Sequence, residues 1–396
     1  MALPIVGIGA SAGGLQAVTE LLSALSAGNG MAYLVVQHLD RAHGSALPEI
    51  LARRTSLPVT AAMDGEVVEA DHVYVIPPNA TLTVEGDHLR LTERPSGLER
   101  HLPVDALFQS LAVACEERAI GVVLSGGDSD GSLGIQSIKD RGGVVFAQAP
   151  DTAQVASMPR HAIETGCVDL VLPPREIAHE IARLGTEFAS QQAQEPAPAP
   201  AGDAAAQRDE EGLRHILWQL RAAHGVDFKH YKRAMLRRRI ARRMMLRGSK
   251  SLSEYSKLID DDPAELAALH QDFLIRVTEF FRDPDSFEAL RQHVFPSLAE
   301  RRGTKEGIRI WVPGCASGEE VYSIAIALAE FLGDADSIKG VQIFGTDINE
   351  AALDKARAGI YPANALRHVA PERLQRFFVN SDHQYRIAKE IRDLCI

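Results

Sequence analysis

Short runs of Val, Ile and Leu alternate along the first half of the chain with segments whose apolar residues return every three or four positions. The pattern predicts buried parallel strands over Pro4–Gly9, Met31–Val36 and Ile120–Leu124, each apolar throughout, as a strand covered on both faces must be. Behind the first of them, Leu15, Val18, Leu22 and Leu25 fall on one face of an amphipathic helix. From Ala189 to Arg208 the sequence ASQQAQEPAPAPAGDAAAQR offers no large apolar residue to bury and reads as a semi-extended linker. Beyond it, Leu236, Ile240 and Met244 recur at i+4 in a helical stretch. A second alternation follows: a strand over Ile308–Val312, a helix with Val321, Ile324, Leu328 and Phe331 on one face, and a strand over Val341–Asp347. The expected organisation is an α/β domain over residues 1–188, a linker over 189–210, a small all-helical domain over 211–284 and a second α/β domain over 285–396.

Composition narrows the class. The 396 residues are 45% hydrophobic and 24% charged, the mixture of a globular protein with material for more than one core. No run of about 18 apolar residues occurs, so no membrane-spanning segment is expected. The opening MALPIVGIGASAGG lacks the charged start and cleavage site of a secretory signal. Cys115, Cys167, Cys315 and Cys395 are scattered without disulfide or metal-ligand spacing, which favours a reducing cytoplasm and predicts no metal. A net charge of -11 argues against general nucleic-acid binding, but the charge is uneven. Basic residues crowd between Lys229 and Arg247, without the interleaved aromatics of a nucleic-acid face. That stretch reads either as a solvated surface or as a site for an acidic protein target.

Three residues able to carry chemistry stand just past strand ends. Ser11 lies in the turn Ala10–Gly14, His38 ends the second strand, and Asp130 lies in Ser125–Gly131 after the third. In an open α/β sheet that edge is where sites assemble. A serine becomes nucleophilic when an imidazole takes its proton, and a carboxylate holds the imidazole in the required tautomer. The N–H groups of Ala12 and Gly127 are candidate oxyanion donors. Gly7, Gly9 and Gly13 also fit a dinucleotide fingerprint or a turn that is glycine-rich for packing alone, but His38, with Asp40 only beyond it, stands where that fingerprint wants an acid.

GIGASAGG, VVQHL, LSGGDSDGSLG and SMPRHAI, in that order, resemble the catalytic domain of the CheB-type chemotaxis methylesterases over Leu3 to Leu184. The resemblance implies a doubly wound parallel sheet, with Ser11 as nucleophile, His38 as general base and Asp130 as its orienter. It also implies hydrolysis of glutamate methyl esters on chemoreceptors, with deamidation of receptor glutamines in many members. The family's glycine-methionine-glycine is here Gly126-Gly127-Asp128, which loses the methionine's packing and adds a negative charge near a developing oxyanion. The family's receiver domain is missing, so phosphorylation control of that kind is not expected within this chain.

In the second α/β segment Pro313–Glu320 forms a small-residue turn, and Asp347 ends the next strand about 20 residues on from the following helix, placed for ribose hydroxyls. Glu319 and Glu320 would repel a pyrophosphate; S-adenosylmethionine, an adenosine ligand carrying a cation, fits better. VTEFFRDP, GCASGEEVYSIA, FGTDIN and ARAGIYP resemble the CheR-type receptor methyltransferases over Glu211 to Ile396. The resemblance implies a Rossmann-like domain whose Thr278, Arg282, Gly314, Glu319 and Asp347 contact the methyl donor, with Arg282 also facing the substrate carboxylate. It implies methyl-accepting chemoreceptors as partners, their acidic helices meeting Arg237, Arg238 and Arg242. Arg276 stands where many relatives have asparagine. Because the family continues past RDLCI, an incomplete transferase with weak donor binding is expected. The competing reading is a receptor-docking module in which one or both sites have lapsed; a nucleotide-dependent oxidoreductase is a more distant one.

Overall fold

The computed structural model describes residues 3–38, 46–94, 101–193, 203–274, 278–300, 307–333, 340–366, 369–381 and 384–396. The chain divides into two compact units, Met1–Phe273 and Leu274–Ile396.

The first unit carries β1 (Ile5–Ala10), β2 (Ala32–Gln37), β3 (Val59–Ala61), β4 (Val73–Val75), β5 (Ala80–Glu85), β6 (His88–Glu93), β7 (Ala119–Val123), β8 (Val144–Gln148) and β9 (Leu170–Leu172). Seven of them form one sheet in the order β3-β4-β2-β1-β7-β8-β9, with every neighbouring pair parallel; β5 and β6 make an antiparallel hairpin. The order reverses at β1, because β2 leads one way and β7 the other. This is the doubly wound arrangement.

The helices of this α/β region are α1 (Gly14–Ala24), α2 (Leu47–Ala52), α3 (Pro103–Cys115), α4 (Ser132–Asp140), α5 (Ser157–Glu164) and α6 (Pro174–Ala193). Val18 and Leu22 of α1 and Ile177, Ile181 and Leu184 of α6 cover one sheet face, against Ile8, Val35 and Phe146. Phe108 and Leu111 of α3, Ile138 of α4 and Met158 of α5 cover the other, against Leu34, Val123 and Val145. Gly7 and Gly9 belong to that second packing. A Cβ on Gly7 would stand 2.6 Å from Leu111, and one on Gly9 2.3 Å from Val104. The two glycines let α3 close on β1, which settles the sequence alternatives in favour of packing at both positions. The apolar face expected of α1 holds at Val18, Leu22 and Leu25, but Leu15 is exposed beside the Ser11 turn.

Four further helices, α7 (Asp203–His224), α8 (Arg233–Arg247), α9 (Leu252–Asp261) and α10 (Pro263–Phe273), complete the unit. The stretch read as an extended linker is helical at both ends: α6 runs to Ala193 and α7 starts at Asp203. Ala and Gln are strong helix formers, so a helix already anchored by Ile177, Ile181, Leu184 and Phe188 can continue past its last buried residue. Residues 194–202 lie outside the described residues.

The basic helix α8 departs most from its reading as a receptor-facing surface. Arg242 is buried with its guanidinium on Asp169 and Asp272, and its Nε donates to Gly143 O at 2.7 Å. Lys139 joins both acids, at 2.7 and 2.8 Å. Burial works against the charged form of Asp169 and Asp272, but Arg242 and Lys139 outweigh it and hold both carboxyls below their usual range. Arg243 grips buried Glu265, which also accepts the Tyr255 hydroxyl. Arg238 donates to Asp140 O, and Arg183 of α6 donates to the carbonyls of Met245 and Leu246. The expected contact role of Arg242 is therefore corrected: its charge is spent inside the unit, joining α8 to α10 and to the segments that lead into β8 and β9. Arg237 is exposed and pairs with Glu210 of α7. Of the expected stripe, Leu236 and Ile240 are buried, whereas Met244 is only half-buried and Met245 beside it is buried.

The second unit contains β10 (Ile308–Pro313), β11 (Val341–Thr346), β12 (Ile360–Pro362), β13 (Phe378–Ser381) and β14 (Gln384–Ile387), with α11 (Pro284–Ala289), α12 (Phe295–Glu300), α13 (Glu319–Leu332), α14 (Glu350–Ala358), α15 (Pro371–Phe377) and α16 (Lys389–Arg392). β10 and β11 pair in parallel, and β12, β14 and β13 form an antiparallel sheet. The far edge of β11 is met by the last residues: Ile343 N–H donates to Leu394 O at 2.8 Å and Ile396 N–H to Ile343 O at 2.8 Å. Val321, Ile326 and Leu328 of α13 pack into the core with Ile343, Tyr361 and Phe377. Phe331, expected on the same face, is partly exposed.

Candidate active site

The crevice where the strand order reverses receives three chain segments. Ser11 follows β1, and its N–H donates to Ser125 O at 2.9 Å. Gly13, at φ 71, then turns the chain into α1; a Cβ there would stand within 2.8 Å of both Gln154 and Ser125. His38 follows β2, its N–H donating to Ala10 O at 3.2 Å. Asp130 follows β7.

Ser11 Oγ lies 3.2 Å from His38 Nδ1, and His38 Nε2 lies 2.8 Å from Asp130 Oδ2. Asp130 is 1% exposed. Its Oδ2 also accepts the Val104 N–H and its Oδ1 the Asp105 N–H, each at 2.9 Å, from the first turn of α3. A carboxylate held there benefits from free backbone donors and the positive end of the helix. An acceptor at Nε2 fixes the imidazole proton on that nitrogen and leaves the Nδ1 lone pair facing the serine. Burial works against the imidazolium of His38. The hydrogen bond and charge of Asp130, with the charge of Asp128 behind them, overcome burial and the opposing Arg94, so the His38 pKa is raised.

Asp105 returns the service that α3 gives Asp130. Its Oδ1 accepts the N–H groups of Leu133 and Gly134, at 3.0 and 2.7 Å, at the start of α4. Each helix start is thus completed by an aspartate associated with the other. Sequence reading missed Asp105; its only local signal is an acid in the first turn after Pro103. Ser125 was also missed. Its side chain is buried, its N–H donates to Gln148 Oε1 at 2.9 Å, and its hydroxyl donates to Ala12 O at 2.9 Å. Met158 and His161, from the motif SMPRHAI, sit against the same loop: Met158 N–H donates to Gly126 O at 3.0 Å, and His161 Nδ1 is 3.2 Å from Asp128 O.

Ala12 and Gly127 are exposed at the mouth of the crevice. A Cβ on Gly126 would stand 3.0 Å from that of Ser11, so the segment leading into Gly127 lies against the nucleophile. A Cβ on Gly127 itself would meet nothing within 4 Å. Asp128 does not stand free over the crevice: its Oδ1 accepts the Asp130 N–H at 2.8 Å, and its Oδ2 lies 3.9 Å from His38 Nδ1. Asp40 lies outside the described residues.

In the second unit the turn after β10 meets the end of β11. Ala316 N–H donates to Asp347 Oδ2 at 2.8 Å, and Asn349 N–H donates to Asp347 Oδ1 at 2.7 Å. Glu319 is buried beneath the turn; the Ser317 hydroxyl donates to its carboxylate, and Thr278 bonds to it as well. Burial pushes the Glu319 carboxyl up to about 7, against the lowering effect of Ser317, its own backbone, Lys355 and Thr278. Tyr361 is buried under the same turn, and its hydroxyl donates to Ser317 O at 2.7 Å. Gly314, at φ 71, leaves open space where a Cβ would stand. A bare turn with an aspartate fixed at its rim suits an adenosyl group, and these residues fit S-adenosylmethionine. Arg282 is exposed in the segment after Thr278. Arg276 lies outside the described residues.

Comparison with known proteins gives matches for both units. Residues 6–181 match the model of the CheB methylesterase family. Residues 211–274 match that of the CheR methyltransferase all-alpha domain, and residues 276–396 that of the CheR methyltransferase SAM binding domain. A putative protein-glutamate methylesterase/protein-glutamine glutaminase of Leptospira interrogans is 35% identical, over 45% of this chain and 92% of that protein. Protein-glutamate methylesterase/protein-glutamine glutaminase 1 of Myxococcus xanthus is 37% identical, over 46% of this chain and 53% of that protein. An uncharacterized 104.1 kDa protein of Rhodobacter capsulatus is 36% identical over 88% of this chain, which spans 38% of its length. Among solved structures, the CheB methylesterase catalytic domain of Thermotoga maritima is 29% identical, covering 46% of this chain and 100% of that one, with a TM-score of 0.43.

Proposed function

Because the chain belongs to the CheB methylesterase family and carries both CheR methyltransferase domains behind it, we propose that it removes methyl esters from glutamates of bacterial chemoreceptors and belongs to the machinery that adds them. The observation that carries the esterase reading is the chain of contacts from Ser11 to His38 to Asp130, at 3.2 and 2.8 Å. Ser11 Oγ attacks the ester carbonyl carbon while its proton passes to His38 Nδ1. The oxyanion that forms is met by the N–H groups of Ala12 and Gly127. The C–OCH3 bond breaks, and methoxide takes the proton from His38 and leaves as methanol. Water then gives a proton to the same nitrogen, attacks the acyl-serine, and yields glutamate and free Ser11. Asp130 orients the ring throughout and stabilises the imidazolium. A glutamine side chain reacts by the same steps with ammonia as leaving group.

In the second unit S-adenosylmethionine supplies an activated methyl group when bound. Asp347 is the residue for the ribose hydroxyls, and Gly314, Thr278 and Glu319 form the turn and its floor. Arg282 is the cation carried over for the substrate carboxylate. A glutamate is already ionised at neutral pH, so the protein's task is to position its oxygen rather than to remove a proton. No helix among the described residues is long and apolar enough to cross a membrane.

The test of the esterase is methanol release from premethylated receptor. Ser11→Ala should lower turnover about 10^4-fold or more with the fold intact, His38→Ala nearly as much, and the double variant little more. Methanol release by Ser11→Ala at the unmodified rate would end the triad assignment.

A further inference from the structure

The environment of His38 holds one carboxylate more than a serine–histidine–aspartate unit requires. Asp130 occupies Nε2. On the other side of the ring, Asp128 Oδ2 lies 3.9 Å from Nδ1, the nitrogen that faces Ser11. Asp128 is held in this place, because its Oδ1 accepts the N–H of Asp130 at 2.8 Å and fixes the turn after β7. Its side chain is about a quarter exposed, so it borders the crevice instead of being sealed beneath it. Among the described residues, the charges that act most on the ring are these two acids and Arg94, which opposes the imidazolium.

Resting on the esterase reading above, we infer that Asp128 is a positioning and specificity residue of the site: it steadies the imidazolium formed at Nδ1 and drives out the glutamate that the reaction produces. Two consequences follow from its charge. While Ser11 attacks, the proton resides on the nitrogen nearest Asp128, so the carboxylate favours the state in which His38 is cationic. After hydrolysis the neutral ester has become an anion within a few ångströms of Asp128, and like charges in a partly dehydrated crevice repel. The ester and the amide, both neutral, escape this repulsion. The added acid therefore opposes the oxyanion less than its charge suggests, because the cationic ring stands beside it, and acts chiefly against the product.

Asp128→Asn tests this, since the amide oxygen can still accept the Asp130 N–H while the charge is removed. Asp128→Ser, with a shorter acceptor, guards against a local effect of the amide. The substrate is a peptide bearing one glutamate γ-methyl ester. The inhibitors are the same peptide with free glutamate, and with alanine in its place. With the full chain, both variants should shift the acidic limb of kcat/KM to lower pH, because His38 loses a stabilising charge and stays neutral further into acid. Both should also bind the glutamate peptide several-fold more tightly as an inhibitor near pH 7.5, with alanine-peptide inhibition unchanged. An unmoved acidic limb or unchanged glutamate inhibition in both variants would overturn the inference. Loss of activity in Ser11→Ala in the same assay would leave the triad standing in that event, so the two failures are distinguishable.

Discussion

Two buried acids, one in each unit, sit beneath strand–turn–helix junctions in different company. Asp130 receives two backbone N–H groups from the start of α3 and a third donor from His38. Glu319, at the start of α13, receives its own backbone N–H and the hydroxyls of Ser317 and Thr278, and burial still pushes its carboxyl up to about 7. The difference lies in the balance of donors: two backbone N–H groups of another helix serve Asp130, whereas hydroxyls outnumber the one backbone donor of Glu319. Backbone N–H groups at a helix start cannot turn away or accept, and they bring the helix's positive end with them. Hydroxyls rotate and serve a protonated acid as readily as an ionised one. The first environment gives an acceptor held by fixed donors, suited to orienting an imidazole. The second gives an acid that changes protonation near neutrality, beside a pocket suited to a cationic donor.

The sharpest way to break this comparison is Asp130→Asn. An amide there cannot hold the Nε2 proton tautomer in the same way, and its NH2 would face the N–H groups of α3. Esterase turnover should fall about 10^4-fold, read as methanol release. A loss under tenfold would mean that Asp130 is a helix cap and not the orienter.

A third solution to burying an acid is offered by Asp169 and Asp272, neutralised by Arg242 and Lys139. Arg242→Ala leaves two buried carboxylates with one cation, and should destabilise the first unit by about 3–5 kcal/mol in denaturant unfolding. A change under about 1 kcal/mol would show that the cluster behaves like a surface pair.

The smallest effect concerns Glu319 itself. Its folded-state pKa is raised above the ordinary 4.5, so the native state holds the proton more tightly than the unfolded chain does. Stability from this group is full below about 4.5 and is lost as pH rises towards 7, on the order of 3 kcal/mol across that window. Glu319→Gln should flatten the pH dependence of the second unit's thermal transition between pH 5 and 8. An equally steep dependence in the variant would move the cause elsewhere.

Much of this was legible in the sequence, and the reason is locality. A continuous apolar run followed by small residues and a helical stripe announces a strand end, which placed Ser11, His38, Asp130 and Asp347 at crevice edges. What escaped notice depends on distant partners. Asp105 and Asp130 exchange helix starts across the fold, and Arg242 finds its acids at Asp169 and Asp272. A charge run carries no local record of such counter-charges, so α8 looked like a surface. Gly7 and Gly9 read equally well as ligand-binding or packing positions until α3 was seen against them.

The exchange between Asp105 and Asp130 also bears on how the chain reaches its native state. Neither α3 nor α4 can complete its first turn alone, because the acceptor for its free N–H groups arrives only with the other helix. Docking and helix completion therefore become one event, with Gly134 allowing the backbones to close and Phe108 filling the contact. The carboxylate that meets His38 Nε2 is consequently installed at the same step that seals this face of the sheet. On the proposed esterase reading, a chain in which this face has not closed would offer Ser11 no oriented base.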